Sequence, residues 1–229
     1  MAERPAASPV HPGAPVAGPS VAEPILLLGL GAVALVLSGI GPHDRLTWIL
    51  EVAPVLVAAP LLIATFRGFR LTPLLYRLIL LHALILMLGG HYTYAEVPLG
   101  FWVQDLFDLG RNHYDRLGHL AQGFIPAILA REILLRRTPL TPGRWLFVLV
   151  TSVCLAFSAT YELIEWGAAV ALGQSADAFL GTQGDPWDTQ WDMFIALIGA
   201  VTAQATLAGL HDRQLARLNK FPKISVTVH

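Results

Sequence analysis

Carboxylates and a histidine recur at helical spacing in the stretches "RNHYDRLGHLAQG" and "YELIEW". Asp115 and His119 are four residues apart, so they project from one face of a helix, and Gln122 continues that face by one turn. Glu162 and Glu165 are three residues apart and also share a helix face. Each pair therefore presents two ionisable groups in the same direction.

The stretch "GTQGDPWDTQWDMF" adds three acidic residues at the start of a long apolar segment. Asp188 and Asp192 are four residues apart, and Asp185 precedes them in a Pro-containing turn. Acidic residues are common at helix starts, where the helix dipole favours them, so Asp185 and Asp188 have a structural interpretation as well. Asp192 lies a full turn deeper, where capping does not explain a carboxylate.

Imidazole nitrogen and carboxylate oxygen atoms ligate divalent metal ions and also transfer protons. A lone histidine is more typical of a hydrogen-bonded structural residue, but His119 shares its face with an acid. The sequence leaves the identity of the metal open, because this ligand set suits several divalent ions. We expect one set of residues to serve as both metal ligands and catalytic groups: Asp115, His119, Glu162, Glu165, Asp188 and Asp192.

These residues belong to an apolar chain. Of its 229 residues, 55% are hydrophobic and only 14% are charged, whereas a soluble domain has about 25% charged residues. The apolar residues fall in long blocks, which is typical of membrane proteins. The net charge of −1 gives no basic surface for nucleic acid, so the expected partner is the lipid bilayer. The oligomeric state stays open.

A helix needs about 20 apolar residues to cross the hydrocarbon core. The sequence predicts an all-α polytopic bundle of about six transmembrane helices, at 24–42, 46–66, 72–90, 116–135, 145–170 and 189–210. It predicts three regions: a disordered Pro/Ala-rich tail (1–23), the transmembrane domain (24–212) and a basic cytoplasmic tail (213–229). Between the third and fourth helices we expect an interfacial segment with an apolar face formed by Phe101, Trp102, Leu106 and Leu109.

Basic residues predict the orientation, because cytoplasmic loops carry an excess of Lys and Arg. One side of the predicted bundle has eleven of them: Arg4, Arg67, Arg70, Arg131, Arg136, Arg137, Arg144, Arg213, Arg217, Lys220 and Lys223. The other side has only Arg45, Arg111 and Arg116. Both termini are therefore expected in the cytoplasm, and all three acidic stretches then meet at the outer membrane level. Glu51, near the outer end of the second span, is expected to reach the interface.

The chain resembles a known family over about residues 24 to 212. Five stretches carry the resemblance: "HYTYAEVPLG", "RNHYDRLGHLAQGF", "REILLRR", "YELIEW" and "FLGTQGDPWDTQWDMFIALIGA". They are similar to the YjdF-like family of bacterial inner-membrane proteins, a family of unknown function. The resemblance implies a small multi-pass protein of the bacterial inner membrane and supplies no established activity.

A more distant similarity is to VanZ-like membrane proteins, which pair Asp-basic-x-x-His with Glu-x-x-Gln on successive helices. Asp115, Arg116 and His119 match the first element, and Glu162 begins the second. Their last helix carries acids followed by Asn and Gly, which Asp185, Asp188 and Gly199 match in part. Glu165 stands where that pattern has Gln, and Asp192 where it has Asn. Both departures make this pocket more acidic and favour a bound cation or additional protons.

Three functions stay open, and with them the question of whether the protein is an enzyme. The preferred one is a metal-binding, hydrolase-like site that acts on a lipid-linked or small-molecule substrate at the membrane. The second is a proton- or cation-coupled transporter, although the inner halves of the last two spans are nearly all apolar and offer no continuous polar path. The third is a non-catalytic membrane scaffold, in which the polar cluster packs the helices together.

Overall fold

The computed structural model describes residues 21–173, 177–180 and 182–219. These residues form helices and turns and contain no strand, which confirms the predicted all-α fold. In chain order the elements are α1 (Ala22–Ser38), α2 (Arg45–Thr65), α3 (Pro73–Tyr92), a 3₁₀ turn (Tyr94–Glu96), α4 (Pro98–Phe107), α5 (Tyr114–Arg137), α6 (Arg144–Leu172), α7 (Asp177–Leu180) and α8 (Asp188–Asn219).

Each predicted span corresponds to one of the six long helices. Most of the predicted N-terminal tail and residues 220–229 lie outside the described residues, and α8 continues to Asn219, past the expected end of the membrane domain. Helix α4 occupies the segment expected between the third and fourth spans. Its Trp102 and Leu106 are 71% and 76% exposed, so no other part of the described chain covers this apolar face. Its interfacial position stays a prediction.

Within the described residues, four helices are long and apolar enough to cross a membrane: α2, α3, α6 and α8. Helix α1 is apolar but has only 17 residues, and α5 carries too many polar side chains to meet the same criterion. Helix α5 packs against α3, α6 and α8, so much of its surface faces protein. A helix enclosed in this way can hold ionisable residues within a membrane domain, because neighbouring helices shield them from lipid.

Helices α5 and α8 touch backbone to backbone near their middles. A Cβ atom added at Gly123 would meet the carbonyl group of Ala196, and one added at Gly199 would meet the carbonyl oxygen of Leu120. Ala200, one residue further along α8, is fully buried. Small residues at such contacts let membrane helices approach closely and gain packing energy along the whole interface. The two glycines therefore set the separation and the register of α5 and α8.

A buried polar cluster joins α3, α5 and α8 at the end of the bundle where α5 and α8 finish. Glu132 accepts hydrogen bonds from Thr72 Oγ1 (2.8 Å), Arg136 Nη1 (2.6 Å) and His211 Nε2 (3.0 Å). Arg131 Nη1 lies 2.9 Å from His211 Nδ1, and because a guanidinium only donates, Nδ1 accepts and Nε2 carries the proton. Both oxygens of Glu132 are satisfied, so this cluster acts as a structural clamp.

The glycine contact gives a prediction for stability. Gly199→Ala places a methyl group against the α5 backbone and is expected to lower the free energy of unfolding by about 1–3 kcal/mol. Gly209→Ala, on the same helix with open space around it, is the matched control and should be neutral or gain up to about 1 kcal/mol. Thermal unfolding in detergent measures both. Equal melting temperatures for the two variants would show that α5 and α8 are not in contact here.

The buried clamp gives a second prediction. Glu132→Ala leaves Arg136 and His211 without their shared acceptor, and breaking a buried ion pair from one side costs about 3–5 kcal/mol. We therefore expect a large decrease in the temperature at the midpoint of unfolding in detergent. Glu96→Ala removes an exposed carboxylate and is the control. If the two variants unfold at the same temperature, the cluster carries no stability.

Candidate functional site

The start of α5 is fixed by Asn112. Its Oδ1 accepts a hydrogen bond from the Tyr114 backbone N–H (3.0 Å), and its Nδ2 donates to the Val97 carbonyl (3.0 Å). The Asn112 side chain lies against Gly100, where any Cβ would overlap it. These contacts tie the 3₁₀ turn and α4 to the first turn of α5, and so they position Asp115 at the end of the bundle where α5 and α8 begin.

Asp115, His119 and Asp192 meet between α5 and α8. His119 Nε2 lies 3.4 Å from Asp115 Oδ1 and 3.6 Å from Asp192 Oδ1. On the other side of the ring, His119 Nδ1 lies 2.9 Å from Gln122 Oε1. An amide oxygen only accepts, so this contact assigns a proton to Nδ1, and Nε2 is the ring nitrogen that faces the two carboxylates. One ligand atom from each of the three residues lies within 4.8 Å of the others.

A second group shares His119 and adds the two acids of α6. Ligand atoms of His119, Glu162 and Glu165 also lie within 4.8 Å of one another, and His119 Nδ1 is 3.8 Å from Glu162 Oε1. Glu162 Oε1 and Asp115 Oδ2 are buried and have no hydrogen-bond partner. Arg116 Nη1 lies 3.7 Å from Asp115 Oδ2, whereas no arginine pairs with Glu162 among the described residues. Because a buried carboxylate without a partner is costly, Glu162 in particular needs a proton or a cation.

Two arginines hold the remaining acids at the start of α8. Arg111 Nη2 and Arg116 Nη2 both donate to Asp188 Oδ1, at 2.9 and 2.8 Å. Arg116 Nη2 also lies 3.3 Å from Asp185 Oδ2, and its Nη1 donates to Asp192. The structure therefore brings five of the six predicted site residues into the two groups around His119. It places Asp188 beside them, in an arginine pair.

The site extends into a cavity of about 40 Å³ whose importance the sequence analysis missed. Glu51, expected at the membrane interface, is instead only 5% exposed and lines this cavity. Tyr94, His82 and Tyr161 line it too, and the His82 Nε2 and Tyr161 Oη atoms are buried without a hydrogen-bond partner. One signal was available in the sequence, since Glu51 lies at the same predicted depth as the three acidic stretches.

The site holds more carboxyl groups than basic groups. Its cations are two guanidinium groups, those of Arg111 and Arg116, and one imidazole, that of His119. The arginines donate to the acids at the start of α8, and Arg116 Nη1 also lies 3.7 Å from Asp115 Oδ2. Glu162 has His119 as its only ion-pair partner among the described residues. The carboxylates are Glu51, Asp115, Glu162, Glu165, Asp185, Asp188 and Asp192.

Comparison with known proteins agrees with the membrane fold. The sequence model of the family described as "Predicted membrane protein (DUF2238)" matches residues 23–213. The chain is 57% identical over 196 residues to the inner membrane protein YjdF of Escherichia coli (strain K12), which covers 84% of this chain and 94% of that protein. No solved structure matches the chain. The predicted YjdF-like relationship is confirmed, and the distant VanZ-like similarity stays a prediction. This chain belongs to the DUF2238 family of membrane proteins.

Proposed function

We propose that Asp115, His119, Glu162, Glu165 and Asp192 bind a divalent metal ion and that this site hydrolyses a membrane-associated substrate. One observation carries the proposal. Two buried carboxylate oxygens, Asp115 Oδ2 and Glu162 Oε1, accept no hydrogen bond from the described residues, and Asp115 and Glu162 each belong to a group of candidate ligands that includes His119. A cation bound in either group would balance a buried carboxylate.

The donor set fits a metal ion. Carboxylate oxygens with one imidazole suit Mg²⁺, Mn²⁺, Zn²⁺ or Fe²⁺, and the hydrogen bond from Nδ1 to Gln122 orients the His119 ring as neighbours of metal ligands commonly do. Asp188 is left out of the proposed ligand set because it belongs to neither group of ligand atoms around His119, and both arginines donate to its Oδ1. Its role is to hold the arginines that balance part of the negative charge.

The chemistry supported by this arrangement is hydrolysis. A divalent ion in the site supplies Lewis-acid activation of water and of the bond to be cleaved. Glu165 forms no ion pair within the described residues and lies in the same group as His119, so it is placed to accept the proton of the attacking water. Gln122 keeps His119 in the tautomer that a metal requires.

An apolar layer beyond the site favours hydrolysis over transport. Buried side chains of α3, α5, α6 and α8 fill the bundle between the cavity and the Glu132 clamp, among them Leu75, Ile128, Val150 and Ala200. A transporter needs a polar route to both membrane surfaces, and this layer offers none among the described residues. A site open on one side is what a membrane hydrolase needs.

Metal binding is testable on the purified protein. We expect one divalent ion per chain by elemental analysis and calorimetry, because both groups of ligand atoms depend on the single imidazole of His119. His119→Ala and Asp192→Asn each remove a ligand and should weaken binding by more than about 100-fold. Asp105→Asn, on exposed α4, is the matched control and should bind as the wild type does.

Folding is checked in parallel by the unfolding midpoint in detergent. A variant that keeps this midpoint while it loses the metal separates a binding site from a scaffold that only packs helices. Stoichiometric metal missing from the wild-type protein, after purification from metal-supplemented medium, would overturn the proposal.

We also propose that the protein lies in the bacterial inner membrane with both termini in the cytoplasm. The support is the name of the Escherichia coli relative, the apolar helices and the eleven basic residues predicted on one side. This orientation places the start of α5 and α8, and with it the metal site, at the outer membrane surface.

Reporter fusions test the orientation. Green fluorescent protein fused after His229 should fluoresce, and alkaline phosphatase fused there should be inactive, because the first folds in the cytoplasm and the second outside it. Phosphatase inserted at Gly110, an exposed residue between α4 and α5, should be active. The reverse pattern at both positions would place the site on the cytoplasmic side.

A further inference from the structure

The cavity beside the metal site has an incomplete wall. Helix α2 forms one side of it through Glu51 and Pro54, and α6 forms the opposite side through Phe157 and Tyr161. Helix α2 packs mainly against α3, and α6 packs against α5 and α8, but α2 and α6 form no packing interface in the described part of the chain. Phe157 lines the cavity and is nevertheless 47% exposed. The cavity therefore opens sideways, between two apolar helices.

The end of this opening beside the start of α5 is covered. Helix α7 packs against α2, against α6 and against the 3₁₀ turn, so it bridges the two helices that border the gap. Its Phe179 side chain is buried. A molecule that reaches the cavity from water meets α7, whereas a molecule in the bilayer meets an open side. This arrangement favours a ligand that arrives through the membrane.

The lining of the cavity offers hydrogen-bond acceptors and three carboxyl groups, those of Glu51, Asp115 and Glu165. No Lys or Arg lines it, and neither Glu51 nor Glu165 forms an ion pair within the described residues. Asp115 is 8% exposed and lines the cavity, and its Oδ2 atom has no hydrogen-bond partner. Tyr161 Oη and His82 Nε2 are likewise buried and without one. A primary ammonium group matches this lining, because it brings one positive charge and three N–H donors.

The cavity is small, with a volume of about 40 Å³. A buried water needs about 10–15 Å³ in the same measure, so there is room for roughly three non-hydrogen atoms. An aminoethyl group, with two carbons and one nitrogen, fills such a space. A trimethylated ammonium is larger and has no N–H donor, so it neither fits nor satisfies the acceptors.

We propose that the cavity takes the primary-amine headgroup of a membrane lipid, which enters sideways between α2 and α6. The lipid chains stay in the bilayer against α2 and α6, and the amine lies between Glu51 and Tyr161. The inference deepens the proposed function, since it names the substrate class of the same site. It rests on the shape and lining of the cavity and does not require that the metal be bound.

The test compares lipid headgroups on the full chain. Native mass spectrometry or calorimetry on the purified protein measures binding of phospholipids with matched acyl chains and an ethanolamine, choline or glycerol headgroup. We expect the ethanolamine lipid to bind about tenfold more tightly than the other two, because only its headgroup brings charged N–H donors to the cavity. Equal affinities for the three lipids would overturn the inference.

Two substitutions in the cavity test where the amine of the lipid headgroup binds. Glu51→Gln removes a charge and Tyr161→Phe removes one hydroxyl, and both should abolish the preference for ethanolamine over choline. Glu96→Gln, an exposed carboxylate outside the cavity, is the control and should keep the preference. Soluble ethylamine should bind far more weakly than the lipid. If it binds as tightly, the ligand comes from water and lateral access is wrong.

The metal content of the same samples separates the two proposals. Glu51→Gln should lose the headgroup preference and keep the metal. A wild-type protein that binds metal but shows no headgroup preference refutes the lipid inference alone. A protein that prefers ethanolamine and holds no metal refutes the proposed hydrolytic site alone.

Discussion

The backbone contact between α5 and α8 is the constraint on which the rest of the structure depends. Gly123 and Gly199 let the two helices approach until one backbone touches the other. At one end of this contact, His119 of α5 meets Asp192 of α8. At the other end, Glu132 meets His211. A single close crossing therefore sets the geometry of the candidate site and of the clamp, which are far apart in depth.

The two polar clusters along these helices differ in how their charge is balanced. Glu132 has a donor for each oxygen, so its cluster is complete with protein groups alone. Around His119 the arginines donate to the acids at the start of α8, and Arg116 Nη1 lies only at ion-pair distance, 3.7 Å, from Asp115 Oδ2. Glu162 Oε1 accepts no hydrogen bond from the described residues. The Glu132 cluster contributes to stability, whereas the cluster around His119 contains carboxylates that a bound ligand would balance. This contrast within one fold is the strongest argument for a ligand.

Periodicity and depth predicted much of this arrangement from the sequence. Apolar blocks located all six long helices, and four-residue spacing placed Asp115 with His119 on one face. The clamp and the place of Glu51 were missed, because spacing shows which face a residue occupies and not which helix lies opposite. Glu132 became interpretable only once α8 was known to bring His211 beside it. Hydropathy also gave no sign that α5 is enclosed by other helices.

The crossing at Gly123 and Gly199 has a mechanical consequence. Helices α5 and α8 cannot slide past each other without separating their backbones. The relative position of His119 on α5 and Asp192 on α8 is therefore held rigidly. Helices α2 and α6, which border the cavity on its other sides, have no such connection to each other. The side of the site formed by α2 and α6 is thus the side that can move. A change in the width of the cavity therefore occurs between α2 and α6, and it leaves the distances between the ligand atoms on α5 and α8 unchanged.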